Sequence, residues 1–489
     1  MMNNRWITII VMALLLASCR EEVKNAREVD DLPPIFPDYV EVTVPVSIAP
    51  LNFCSAGESE RVDVVLKGEH GEAIHVQGAY ADFDIDAWHR LLEDNRDGKL
   101  TCSVCVKSGG EWTRYRDFSI HVSDYPLEDY GLTYRKIAPG YEVYSKMGLY
   151  ERELATFRER PIIENTQVPG MCVNCHTPNR TNPDQYVFHV RGAHGGTLVH
   201  RDGVMEVLQA SSDSLGGAMV YPYWHPSGRY CAFSTNQTRQ GFHVVKDERI
   251  EVFDLSSDVF VYDVERHQLL LDTLLMTKHF SENAPAFSPD GRMLYYTTAL
   301  QQHYPTGFRG QKYSLCRIGF NPEEGCYGTQ VDTLYNALRE GKSVSWPRPS
   351  YDGKYVMVSL ADYGYFTIWH RESDLWLLDV ATGRMFPLEG ANSPDADSYH
   401  NWSAGSHWFV FTSRRENGLY SLLYLSCVDA EGRATKPFLL PQKNPKRYYQ
   451  NSVYSYNTPD FTSRPVELDS RATARAIESE DRVKTSLKE

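Results

Sequence analysis

A turn glycine recurs in this chain at a nearly constant step, and the residues around it recur with it. Tyr223-Trp-His-Pro-Ser-Gly-Arg-Tyr-Cys-Ala-Phe-Ser-Thr235 returns as Ala286-Phe-Ser-Pro-Asp-Gly-Arg-Met-Leu-Tyr-Tyr-Thr-Thr298 and again as Arg348-Pro-Ser-Tyr-Asp-Gly-Lys-Tyr-Val-Met-Val-Ser359. The glycines are Gly228, Gly291 and Gly353, at steps of 63 and 62 residues. A worn fourth copy is Asn401-Trp-Ser-Ala-Gly-Ser-His-Trp-Phe-Val-Phe-Thr-Ser413. A period of this size holds one four-stranded blade with insertions. Such a blade buries its faces only against its neighbours, so the copies are expected to close into a ring without long exposed edges.

A further strand and turn follow the repeat in Asp258-Val-Phe-Val-Tyr-Asp-Val264 and Asp374-Leu-Trp-Leu-Leu-Asp-Val-Ala-Thr-Gly383. The combined pattern resembles the blades of TolB-like (WD-type) β-propellers over residues 221–440. Tyr186-Val-Phe-His-Val-Arg-Gly192 with Thr197-Leu-Val-His-Arg-Asp-Gly203 reads as one more blade. The resemblance implies six blades, with five as the other count.

Before the repeats, the segments are read from pattern. Residues 1–18 (Arg5, the apolar run Trp6 to Leu16, then Ala17 and Ser18) read as an export signal. Leu16-Ala17-Ser18-Cys19 resembles the bacterial lipobox, which makes Cys19 the lipidated first residue of a membrane-anchored protein. Arg20-Glu21-Glu22 is similar to surface-export signals of some Gram-negative lipoproteins. Residues 19–38, charged and proline-bearing, are expected to be an extended tether. Residues 39–124 alternate apolar and polar positions between turns and predict a small β-sandwich. Residues 125–185 predict a short helical linker, with Val143, Met147, Tyr150 and Leu154 at helical spacing. Residues 186–462 are the expected propeller and 463–489 an exposed polar tail. The fold class is therefore mainly β.

The linker carries Cys172-Val-Asn-Cys-His176, and this spacing is the attachment signature of a c-type haem. One helical turn would carry both sulfurs to a single porphyrin, and His176 would follow as the proximal iron ligand. Met171-Cys-Val-Asn-Cys-His-Thr-Pro178 is similar to the motif of c-type cytochromes, which implies covalent haem c on Cys172 and Cys175. Export would take the chain through the compartment where such haem is attached. The other readings of the pair are a disulfide, a zinc site shared with Cys102 and Cys105, and a redox dithiol. His189 and Met219 are the candidate distal ligands, among downstream residues that also include His194, His200, His225 and His243. Arg191, on the face of His189, is a candidate partner for a haem propionate. Trp224 and His225 either line a central funnel or pack.

Cys102-Ser-Val-Cys105 is followed by Val106, so it lacks the histidine of a haem motif. Its alternation predicts a strand with buried thiols or one bond to Cys54. A net charge of −14 without a basic stripe excludes a nucleic-acid partner. No Gly-x-Ser-x-Gly elbow, phosphate-binding loop or His-Glu-x-x-His run is present.

The sequence therefore reads as an envelope lipoprotein of a Gram-negative bacterium, at the outer membrane. One covalent haem on a propeller would serve electron transfer or redox-linked binding with an unknown redox or envelope protein partner. A haem-free scaffold binding an envelope protein or peptide, and a haem oxidoreductase with an open distal site, are the alternatives.

Overall fold

The computed structural model describes residues 21–138, 146–209, 215, 218–242 and 250–488. The chain divides into two compact units. One comprises Val42–Ala49, Ser123–Leu440 and Ser452–Glu489; the other comprises the chain up to Glu41, Pro50–Val122 and Pro441–Asn451.

The larger unit is a six-bladed β-propeller among the described residues. Blade I takes its innermost strand, Ser455–Thr462, from the far end of the chain and continues outward with Gly131–Ile137, Gly148–Glu153 and Glu159–Glu164. Blade II is Cys172–Asn179, Asn182–Arg191, Gly196–Arg201 and Val204–Gln209. Blades III to VI begin at Met219–Trp224, Phe280–Phe287, Ser343–Pro349 and Asp397–Trp402. Leu132 pairs antiparallel with Phe461, so the C-terminal strand closes the ring. It touches both Asp397–Trp402 and Cys172–Asn179, the innermost strands on either side.

The core lies between blades. Along Tyr230–Phe242 successive side chains point opposite ways. Tyr230 and Ala232 pack with Phe287, Leu294 and Ile318 of blade IV. Cys231 and Phe233 pack with Val187 and Val199 of blade II. The repeat's turn explains its glycine: Gly228, Gly291 and Gly353 have φ of 73°, 73° and 75°, where a side chain is strained. Each donates its N–H to the residue three before it, His225, Ser288 or Ser350.

The segment expected as a helical linker is strand. Val143 of the expected helical stripe lies outside the described residues, and Gly148–Glu153 pairs with Gly131–Ile137. Tyr150 and Leu154, read as a helical stripe, are buried in strand surroundings whose cross-strand bonds outweigh weak periodicity. The propeller thus begins near residue 131, and the boundary expected at 186 falls inside blade II. The tail is not simply exposed either. Helix Ser470–Glu478 buries Thr473 and Ile477, and Ser486–Leu487 pairs in parallel with Gln268–Leu270.

The smaller unit is one main sheet in the order Arg27–Glu28, Glu111–Arg114, Lys99–Ser108, Arg61–Lys67, Ile74–Gly78, with Phe118–Val122 also on Lys99–Ser108. Instead of the second full sheet of a sandwich it has a two-stranded pair, Ile35–Phe36 with Cys54–Ser55, and helix Ile85–Asp94 burying Trp88, Leu91 and Leu92. The expected tether contributes two of these strands, because its backbone finds edge partners. Cys102 and Cys105 are buried free thiols on Lys99–Ser108, and Cys54 is also free.

Candidate functional site

Each innermost strand carries one bulge, and the six bulges form a ring. Cys175, Tyr221, Ala284, Trp346, Tyr399 and Thr458 have φ between 46° and 56°, and pairing with the next strand slips at each. The following residue is proline in four blades (Pro222, Pro285, Pro347, Pro459) and histidine in two (His176, His400). The Cys-x-x-Cys-His stretch therefore sits on the innermost strand of blade II and not on a helical turn. In a regular strand, residues three apart face opposite ways. The extra residue of the bulge removes that opposition, and Cys172 and Cys175 open on the same cavity.

This cavity is the funnel of the propeller, about 510 Å³. Tyr221, Trp346 and Tyr399 lie on its wall, with Phe366 and Trp369 from the loop after blade V's second strand. Arg135, Arg191 and Arg414 line it, and among the described residues no Asp or Glu does. Cys172 Sγ accepts from Asn174 Nδ2 at 3.2 Å and from Arg135 Nη2 at 3.5 Å. Burial pushes the Cys175 thiol up, partly offset by the Arg191 charge and the Tyr221 backbone N–H. Neither cysteine is in a disulfide.

Trp346 lies 5.0 Å, centroid to centroid, from each of Tyr221 and Tyr399. These rings, with Cys175 and Thr458, border both the funnel and a small axial chamber of about 20 Å³, room for about one water. His176 belongs to the chamber and does not line the funnel. Its ring stacks on Tyr186 at 5.9 Å, and Nε2 lies 3.8 Å from Asp460 Oδ2. Neither ring nitrogen has a hydrogen-bond partner; the Thr133 backbone lies nearby without hydrogen-bond geometry. Burial holds the imidazole down at about 4. Burial pushes Asp460 up to about 7 against the pull of Arg348, and Asn401 Nδ2 donates to its Oδ1.

Of the expected site residues, the fold brings together Cys172, Cys175 and Arg191, and separates His176 from them by the bulge. The candidate distal ligands do not line the funnel. His189 Nδ1 is 3.0 Å from Thr197 Oγ1, and Met219 is packed in the apolar layer between blades II and III. Trp224 and His225 pack: Trp224 Nε1 donates to Thr177 O, and His225 Nε2 is 3.1 Å from Gly291 O. Cys19 and His243 lie outside the described residues.

No family model matches the chain, and no curated protein matches it. Among solved structures, an oligogalacturonate lyase in complex with manganese is 10% identical, with a TM-score of 0.35 over 64% of this chain and 74% of that one. The periplasmic gluconolactonase of Pseudomonas aeruginosa is 15% identical, TM-score 0.36, over 68% and 100%. Chaetomium thermophilum Sqt1, bound to the N-terminus of a ribosomal protein, is 12% identical, TM-score 0.34, over 86% and 90%. At these scores the likeness bears on neither family nor activity. The propeller rests on its own six sheets.

Arg135, Arg414 and the aromatic rings around Trp346 escaped sequence reasoning. The signal that could have found the ring is the bulge pair itself: Tyr-Pro, Ala-Pro, Trp-Pro and Thr-Pro recur at 221, 284, 346 and 458, with Cys-His and Tyr-His in the same register at 175 and 399.

Proposed function

We propose that the propeller holds one haem in its funnel, attached through Cys172 and Cys175, and serves single-electron transfer or redox-linked binding. The observation that carries this reading is a funnel whose described lining holds two thiols and three arginines but no carboxylate, in a chain whose net charge is −14. Guanidinium groups suit the two carboxylates of a porphyrin, and aromatic walls suit its flat faces. The residues present fit attachment and carboxylate binding. They do not supply His176 as an iron ligand from the funnel wall, so no axial ligand is assigned. When bound, the haem would supply a one-electron carrier. The chain's own part is to hold it, pair its carboxylates with Arg135, Arg191 and Arg414, and floor the site with Tyr221, Trp346 and Tyr399.

The turned-away His176 favours a second reading, a haem-free funnel that binds a flat anionic ligand reversibly on the same arginines. A pyridine haemochrome spectrum of protein matured alongside a cytochrome c assembly system separates the two. A c-type spectrum that survives acid and organic extraction supports the first, and its absence leaves the second. Placement at a bacterial envelope by lipid on Cys19 is part of the proposal. Labelled fatty acid should be incorporated by the wild type and lost in Cys19→Ala; label retained in the variant would refute the anchor.

A further inference from the structure

The two funnel thiols differ in what surrounds the sulfur. Cys172 Sγ receives two side-chain donors, the Arg135 guanidinium and the Asn174 amide. Among the described residues no carboxylate pairs with Arg135, and its buried Nε has no hydrogen-bond partner. Among the described residues, then, that guanidinium has no acidic partner, and the described lining of the groove it shares with Cys172 contains no acidic side chain. A cation and hydrogen-bond donors placed at sulfur orient it and stabilise the charge that it carries as it attacks an electrophile.

We propose that Cys172 is the electrophile-reactive thiol of the funnel, the one that bonds first to a ligand carrying an activated carbon–carbon double bond, and that Arg135 and Asn174 are its positioning residues. This rests on the funnel being a covalent ligand site. The step is an addition. The sulfur–carbon bond forms as the π bond breaks, and the thiol's hydrogen ends on the neighbouring carbon, so no oxidant and no leaving group is needed. Cys175, set in the bulge, bonds second.

The test uses pre-reduced full-length protein made without haem assembly machinery. N-ethylmaleimide, itself an activated alkene, is the probe, and modified peptides are followed by mass against time at one fixed pH. Cys172 should be modified severalfold faster than Cys175, and much faster than the buried Cys231. Arg135→Ala and Asn174→Ala should each slow Cys172 severalfold, with part of the rate returning in Arg135→Lys. Cys326, half-exposed on blade IV, serves as the internal reference and should be unchanged. New labelling of Cys231 would mark a misfolded variant, in which case Asn174→Ala and Arg135→Lys carry the comparison. Cys175 reacting first, or a Cys172 rate unmoved relative to Cys326 in both alanine variants, would overturn the proposal. Failure of the haem reading shows separately, as matured protein without haem and with these rates intact.

Discussion

Cys175 and Tyr221 occupy the same place in successive innermost strands, each at a bulge and each with left-handed backbone, φ 49° and 51°. The motif's second cysteine is thus also a structural position of the ring. A β-branched side chain is strained at such a φ. Cys175→Val should therefore be less stable than Cys175→Ala by about 1–2 kcal/mol in denaturant unfolding. Equal stability of the two variants would argue against the bulge.

Closure by Ser455–Thr462 makes the propeller one cooperative unit, since each blade completes its neighbour's core. Phe461 and Phe287 are each 1% exposed, in blades I and IV. Replacing either by Ala should cost about 3–5 kcal/mol and lower one shared calorimetric transition of the propeller. A separate early transition in the Phe461→Ala variant alone would show that the ring is not closed there.

Blades III to V were legible because their turns repeat Ser/Asp-Gly-Arg/Lys, a pattern demanded by a positive-φ glycine and the oxygen-bearing side chain beside it: Ser227 Oγ accepts from the Arg229 N–H in blade III. Asp290 Oδ1 accepts from Ser288 at 2.5 Å and Asp352 Oδ1 from Ser350 at 2.6 Å. Blades I and II lack that turn. Blade I is assembled from residues over 300 positions apart, as in Thr133 opposite Asp460, which no local pattern reports. The thiol pair was legible as a motif, but its geometry was not. The bulge at Cys175 sets which side the sulfurs face, and Arg135, Trp346 and Tyr399 reach the funnel from three other blades.

Asp254 is buried and accepts from Asn236 at 3.1 Å, Asn283 at 3.2 Å and Tyr313. Burial still dominates, pushing its carboxyl up to about 6. The fold thus favours the protonated acid, whose contribution is complete below the unfolded value near 3.8 and is lost as pH rises towards 6. Buried His176, His189 and His400 titrate in the opposite sense, so the total curve mixes both. The difference between wild type and Asp254→Asn isolates the carboxyl. Over pH 4 to 6 the wild type should lose up to about 3 kcal/mol relative to the variant, then run parallel to it. A pH-independent difference would contradict the buried acid.

The arginines of the funnel make a charge prediction. Arg191 is exposed on its wall, so Arg191→Glu should fold normally yet weaken retention of a carboxylate-bearing ligand. Binding of a free dicarboxylate porphyrin to the unmatured protein, followed by absorbance titration, should lose roughly tenfold in affinity for one reversed contact. Unchanged affinity would remove Arg191 from the site.

The most direct measurement is the intact mass of purified protein matured alongside a working cytochrome c assembly system. The account predicts one added haem in the wild type, retained after acid and organic extraction, and none in Cys172→Ala/Cys175→Ala. A wild-type polypeptide of unmodified mass under those conditions would contradict it.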